Sequence, residues 1–164
     1  MCIRDRPNKI KILNSVFDYL ASSGFNEMMG ISLLDSKICL DTNLYKPEQL
    51  VYINNTSNVG LDAMRPSMLL SGLSSVSFNI NRQQDNLCLF ESGKSYQMNG
   101  EETIEKEMLS IFMSGKEGKE HWSNPKPKTI SFYEVKTNLD SILNKYFNAT
   151  LSVKELNAED KELQ

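Results

Sequence analysis

Histidine and cysteine are nearly missing from this 164-residue chain, which has one histidine, His121, and three cysteines, Cys2, Cys39 and Cys88. A single imidazole leaves little for histidine-based acid–base chemistry or for a zinc centre. Three thiols, odd in number and widely separated, form neither a disulfide framework nor a CxxC metal pattern, so a reducing compartment is the natural setting. No apolar run approaches the roughly 20 residues that cross a bilayer. Positive charge is also short. The formal net charge of −3 argues against a free-standing nucleic-acid binder, since no basic surplus remains to neutralise phosphates. What the chain does have is 40% hydrophobic residues. That is too many for a disordered tail and suits one domain, or a piece of a larger one.

The two ends read differently from the middle. Met1-Cys2-Ile3-Arg4-Asp5-Arg6 lacks the apolar stretch of a signal peptide and resembles translated sequencing-adapter read-through. Residues 1–6 are therefore expected to be foreign, with the natural sequence starting near Pro7 and its upstream part missing. Without them Arg65 and Arg82 are the only arginines. Residues 148–164 alternate polar and charged side chains and read as a linker or frayed terminus.

Residues 7–147 form the body. Pro7-Asn8 opens a helix on Ile10, Leu13, Val16, Phe17 and Leu20, and Gly24 stops it. Residues 27–34 (EMMGISLL) and 50–53 (LVYI) read as strands, the second ending in the turn-favouring cluster Asn54-Asn55-Thr56-Ser57-Asn58. Pro66-Ser67 starts another helix, carried by Met68, Leu69, Leu73, Val76 and Ile80 to about Arg82. Residues 87–90 are a strand candidate, Gly93 marks a bend or bulge, and Asn99-Gly100 signals a hairpin with 108–113 returning. A polar loop then leads to a strand at 130–135 and a final amphipathic helix on Leu139, Ile142, Leu143, Tyr146 and Phe147. Strands joined by tight turns, with a few helices, predict an α+β fold around a mainly antiparallel sheet.

Few residues invite chemistry. Arg65 stands before a helix start and Arg82 at that helix's end. Both can bind an anion; the plainer reading is that Arg65 ties down the polar loop before it and Arg82 meets the helix's negative end. Glu91, on an apolar strand, is a half-buried partner of an arginine, a surface residue, or a catalytic carboxylate if a second polar group shares its face. His121-Trp122 can stack on a base; the plainer reading is a tryptophan that anchors its loop to the core. Lys126, Lys128, Lys136 and Lys145 offer a path for an RNA backbone or a simple solvated surface.

At these residues the chain resembles a known family. MRPSMLLSGL at 64–73, NINRQQ at 79–84 and LFESGKSY at 89–96 follow the run M-R-x-S-L-L-x-G-L, N-x-N-R and L-F-E-x-G-K of the bacterial phenylalanyl-tRNA synthetase β subunit. Upstream, DYLASSGFNEMMGISL is similar to that family's helix, G-[FY]-x-E and strand segment. Downstream come the lone Trp122 and SFYEVK at 131–136, close to the family's F-[FY]-D-x-K-G strand. The likeness covers roughly residues 7–147. Each motif alone is weak; four in order and spacing are strong. The chain departs at Asn54-Asn55-Thr56, where the family has Asn-Pro, and at Glu134 and Thr137, where it has Asp and Gly. These departures bear on local loop geometry.

The resemblance implies a class II aminoacyl-tRNA synthetase-like antiparallel sheet flanked by helices, in a copy that makes no aminoacyl-adenylate. The residues agree with that. Holding a polyphosphate takes fixed cations, usually strand arginines, yet residues 88–98 carry Lys94 and Gln97 and no arginine. Gly115-Lys116-Glu117-Gly118-Lys119-Glu120 is not a G-x-G-x-x-R segment. No catalytic, cofactor-binding or metal-binding residue is therefore expected here, and Arg65, Arg82, Glu91 and Gly93 are expected to be structural. The whole enzyme implied is a cytoplasmic phenylalanine–tRNA ligase, an α2β2 heterotetramer that uses ATP and magnesium, acts on tRNA and has no membrane association. Its editing pocket, magnesium ligands and anticodon-contacting domain are implied to lie outside this stretch. In class II enzymes the helix before the first strand builds the subunit interface, which makes Leu13, Phe17 and Leu20 candidate contacts to the α subunit. The same stripe can instead cover the domain's own sheet, or do both. Two other functions remain open: a domain that keeps its own ATP or amino-acid site, and a stand-alone RNA-binding domain.

Overall fold

Helical spacing of apolar residues sets the first element. Val16 and Leu20, on one side of helix α1 (Lys9–Ser22), are buried and meet Phe25, Phe90 and Ile142 in the core. Gly24, at φ +89°, takes the left-handed conformation that ends the helix. The computed structural model describes residues 9–54, 58, 60–116, 122–123 and 126–152.

The main sheet has the order β1-β4-β5. Strand β1 (Asn26–Glu27) runs parallel to β4 (Leu87–Asn99), and β4 runs antiparallel to β5 (Glu102–Ser114). The two long strands pair without interruption from Leu87↔Ser114 to Asn99↔Glu102. Gly93 therefore makes no bend or bulge; it sits in register opposite Met108. Gly100 opens the two-residue turn at φ +66°, the glycine-first pattern of a tight hairpin.

Alternation along the strands assigns the two faces. Phe90, with Ile111, Leu109 and Met113, faces α1 and helix α4 (Phe132–Ile142), which continues into a π turn at Leu143–Phe147. Tyr146 Oη donates to the Ser15 carbonyl at 2.8 Å and ties that turn to α1. The opposite face carries Leu89, Glu91, Gly93 and Phe112, and helix α3 (Leu69–Ile80) covers its Leu89 and Phe112 end, where Gly72 lies against the Phe112 ring. The residues that α3 buries are Ser71 and Gly72, while Leu69, Leu73 and Ile80 of its apolar series face outward.

Other elements also depart from the sequence pattern. Residues 27–34 make two stubs, β1 in the main sheet and β2 (Leu33–Leu34), which pairs antiparallel with β3 (Ala63–Met64). Between the stubs, Gly30 N donates to Glu91 Oε1 at 3.1 Å instead of to a strand. Residues 50–53 contribute only the bridge Tyr52↔Ala63, because the β3 they meet is two residues long. Residues 130–135 are no strand. Ser131 caps α4 by accepting from Tyr133 N, and the Glu134 carboxylate accepts from Ser131 N at 2.8 Å. The S-x-x-E spacing of this capping box outweighs the alternation. Of the tail, Asn148 ends the last helix at φ +49° and Leu151 N donates to Asp140. Residues 1–6, His121, Asn55-Thr56-Ser57 and the rest of the tail lie outside the described residues.

A short helix not expected from the sequence, α2 (Ser36–Asp41), is started by two aspartates. The Asp35 carboxylate accepts from Lys37 N at 2.9 Å, and Asp62 accepts from Ser36 N and Ser36 Oγ at 2.7 Å each. The Ser36 hydroxyl, then its backbone N–H, hold the Asp62 carboxyl below the usual carboxylate range. A carboxylate with its folded pKa depressed stabilises the fold above its unfolded value, near 4, and loses that contribution as pH falls through the depressed value. Chemical denaturation at stepped pH is expected to show Asp62→Asn weaker than the parent at neutral pH. The two should converge as pH falls through the depressed value of Asp62.

Candidate functional site

Arg65 follows directly on β3 and is fixed at both backbone ends. Its N–H donates to the Ser32 carbonyl and its carbonyl accepts from Tyr96 N, both at 2.9 Å. The side chain lies across β4. Nη1 meets Glu91 Oε1 at 2.7 Å, and Nε donates to the Lys94 carbonyl at 2.8 Å. The two side chains are 3% and 2% exposed. Gly93 makes the room, since a Cβ there would stand 2.0 Å from Arg65 Nη2. From the other side Gly30 closes over the carboxylate, where a Cβ would come within 3.0 Å of Glu91 Oε2. That oxygen has no hydrogen-bond partner among the described residues.

The fold thus gathers Arg65, Glu91 and Gly93 into one buried cluster and adds Gly30. The signal for Gly30 in the sequence is a glycine interrupting the apolar run EMMGISLL. Glu91 is the partner of an arginine, and it is wholly rather than half buried. Arg65 grips β4 rather than the loop before it. Its charge is balanced inside the protein, and its fork is closed to an outside anion.

Arg82 stands apart from this cluster. Its guanidinium lies over the Phe78 ring, 3.4 Å from the centroid, and donates to the Phe78 carbonyl at 3.2 Å. It therefore meets the negative end of α3, as the sequence suggests. Lys94 pairs across the hairpin with Glu105 at 2.5 Å, which raises the lysine pKa. Both groups are half exposed, so the pair adds little stability. Burial pushes both the Cys39 and Cys88 thiols up, which favours their protonated form. A groove of about 330 Å³ beside α3 is lined by Met28, Ser74, Ser75, Phe78, Asn79 and Leu89, none of them charged. Among the described residues no group of three or more His, Cys, Asp or Glu is placed to hold a metal ion. No helix among them is long and apolar enough to cross a membrane.

Two expectations change here. Leu20 is 0% exposed and belongs to the chain's own core, so it is removed from the candidate α-subunit contacts. The Phe17 ring also leans inward, 5.4 Å from Phe90, and Leu13 is half buried. The α1 stripe first of all covers the domain's own sheet. Trp122, in contrast, anchors nothing: it is 95% exposed.

A short parallel strand beside a long antiparallel hairpin, with helices on both faces, is the framework of the class II aminoacyl-tRNA synthetase fold. Solved structures of that class match it. A histidyl-tRNA synthetase-like regulatory subunit of ATP phosphoribosyltransferase from Bacillus halodurans gives a TM-score of 0.62 over 88% of this chain and 36% of its own. A pyrrolysyl tRNA synthetase from Desulfitobacterium hafniense gives 0.59 over 85% of this chain and 46% of its own. Identity is 15% in both, so the likeness is one of fold.

Within that class the chain belongs to the family of the phenylalanyl tRNA synthetase beta chain CLM domain, whose model matches residues 3–163. The phenylalanine–tRNA ligase beta subunit of Shewanella oneidensis is 33% identical over 135 residues, 80% of this chain and 16% of the relative. That of Bacteroides thetaiotaomicron is 28% identical over 148 residues, 85% of this chain and 18% of the relative. The chain therefore spans under a fifth of these relatives.

Proposed function

We propose that this chain is a scaffold module of a phenylalanine–tRNA ligase β subunit, built on the catalytic fold but making no adenylate itself, and that it docks the α subunit. The commitment of Arg65 carries this reading. A site that stabilises a polyphosphate needs preorganised cations free to meet it. Arg65 is neutralised by Glu91 and buried, and Arg82 is held over Phe78.

The division into a body at 7–147, an adapter-derived start at 1–6 and a linker at 148–164 belongs to the same proposal. The elements of the described residues, from Lys9 to Phe147, fall within that body. The whole enzyme's attributes are proposed with it: ATP and magnesium as its cofactors, tRNA as its RNA substrate, α2β2 assembly and a cytoplasmic setting. On α1 the docking role falls to Leu13, the outer edge of Phe17 and their exposed neighbour Ile10.

Co-expressed with a bacterial α subunit, the chain is expected to copurify with it. Ile10→Glu with Leu13→Glu should lower recovery about tenfold while the circular dichroism spectrum is kept. Calorimetric titration with ATP and phenylalanine should give no saturable heat. Saturable ATP binding would overturn the scaffold reading.

A further inference from the structure

Helix α3 leaves a row of large apolar residues uncovered. Leu69, Leu73 and Ile80 are 43%, 50% and 42% exposed, and Val76 between them is half buried. The side that α3 gives to its own sheet is instead that of Ser71 and Gly72. No residue from 66 to 81 is charged, in a chain where 24% are. A helix face meant for water carries charge, whereas the core of a protein contact is depleted of it.

The spacing defines the neighbour that fits. Leu73 follows Leu69 by four residues, Val76 follows Leu73 by three, and Ile80 follows Val76 by four. Steps of four and three in alternation are the heptad seam along which one helix pairs with another. The series also reads the same in both directions. Turned end for end, α3 therefore matches itself: Leu69 meets the partner's Ile80, and Leu73 the partner's Val76. A two-fold axis gives such a self-complementary contact. It also sets the positive start of each helix beside the negative end of the other. With no charge on the seam, pairing buries no ion.

We propose that α3 joins two copies of this chain, antiparallel across a two-fold axis, through Leu69, Leu73, Val76 and Ile80. The contact is small. A 12-residue helix is about 18 Å long and 10 Å wide, well short of the roughly 1,200 Å² that a stable interface buries. The dimer therefore forms at high protein concentration. Since α1 and α3 lie on opposite faces of the sheet, self-pairing leaves α1 open, and it rests on nothing in the functional reading above.

Sedimentation equilibrium of the full 164-residue chain is the test. Its average mass is expected to rise from 18.7 kDa toward twice that value, with a midpoint on the order of 100 µM. Leu73→Glu, at an exposed position, should keep the circular dichroism spectrum and move the midpoint up about tenfold. Ile10→Glu with Leu13→Glu, on α1, should leave it in place. Mixing reads the orientation. Leu69→Glu alone, or Ile80→Lys alone, sets a charge against an apolar side chain at both ends of the seam and abolishes pairing. The two variants mixed regain one apolar contact and place carboxylate against ammonium at the other end, so they should associate again. Both changes suit the helix dipole, acid in the first turn and base in the last, which keeps α3 intact.

A chain that stays monomeric to about 500 µM, association indifferent to Leu73→Glu, or mixing that restores nothing would each overturn the proposal. A monomer whose α-subunit capture falls with Leu73→Glu would overturn it too, and would assign the seam to that subunit. Saturable ATP binding, or α-subunit capture that ignores the α1 variants, bears on the functional reading and leaves this pairing standing.

Discussion

Arg65→Met lowers the melting temperature of the chain by about 10 °C, and adding Glu91→Leu restores most of the loss. The size follows from burial. Breaking a buried pair by removing one partner costs about 3–5 kcal/mol, because the other charge is left uncompensated. In a domain of this length each kcal/mol moves the midpoint by about 2–4 °C. The partial rescue follows from the same physics, since apolar residues of similar size avoid the desolvation penalty of both charges. Recovery stays incomplete because Gly30 N and the Lys94 carbonyl lose the partners they have in Glu91 and Arg65. Thermal and urea unfolding of the parent, both single variants and the double variant give the coupling energy directly. A loss below about 1 kcal/mol for Arg65→Met would mean a solvated pair, and with it would go the claim that this arginine is closed to outside anions.

Gly72→Ala destabilises, against the sign that helix propensity gives. An alanine in place of a mid-helix glycine gains up to about 1 kcal/mol on propensity alone. Here the new Cβ would stand 1.9 Å from Phe112 Cζ and within 2.4 Å of both Cε atoms. Contacts that short force the ring or the helix to move, and overpacking a core of this kind costs about 1–3 kcal/mol. With contacts this short the steric term wins, for a net loss of up to about 2 kcal/mol. Phe112→Leu combined with Gly72→Ala should be more stable than Gly72→Ala alone, since the shorter side chain vacates the space. If Gly72→Ala raised the urea midpoint, α3 would not rest on β5 through this contact.

The parts of the fold written in local code are legible in the sequence. The α1 periodicity with its Gly24 stop, and the Asn99-Gly100 hairpin, depend on residues a few positions apart, and they fold as read. Helix α3 was legible as a helix but not in its orientation. Its large apolar residues suggest a buried face, yet Ser71 and Gly72 go inward because Phe112 already fills that volume. At 130–135 two local signals compete, and the capping box of Ser131 and Glu134 prevails over the alternation. The candidate site was half legible. Family resemblance groups Arg65, Arg82, Glu91 and Gly93, and the apolar strand around Glu91 suggests an arginine partner, but which arginine is not legible, because Arg65 and Glu91 are 26 positions apart and only the fold makes them neighbours. Gly30 is 61 positions from Glu91, further still from anything a motif records.

That long separation has a consequence for how the protein is made. As the chain leaves the ribosome, Gly30 and then Arg65 emerge well before Glu91, so the guanidinium has no counter-charge until the first hairpin strand is out. The amino-terminal segment cannot lock into place early. Arg65 waits for Glu91 to leave the ribosome, and the core waits longer still, until the hairpin's second strand and Ile142 have followed.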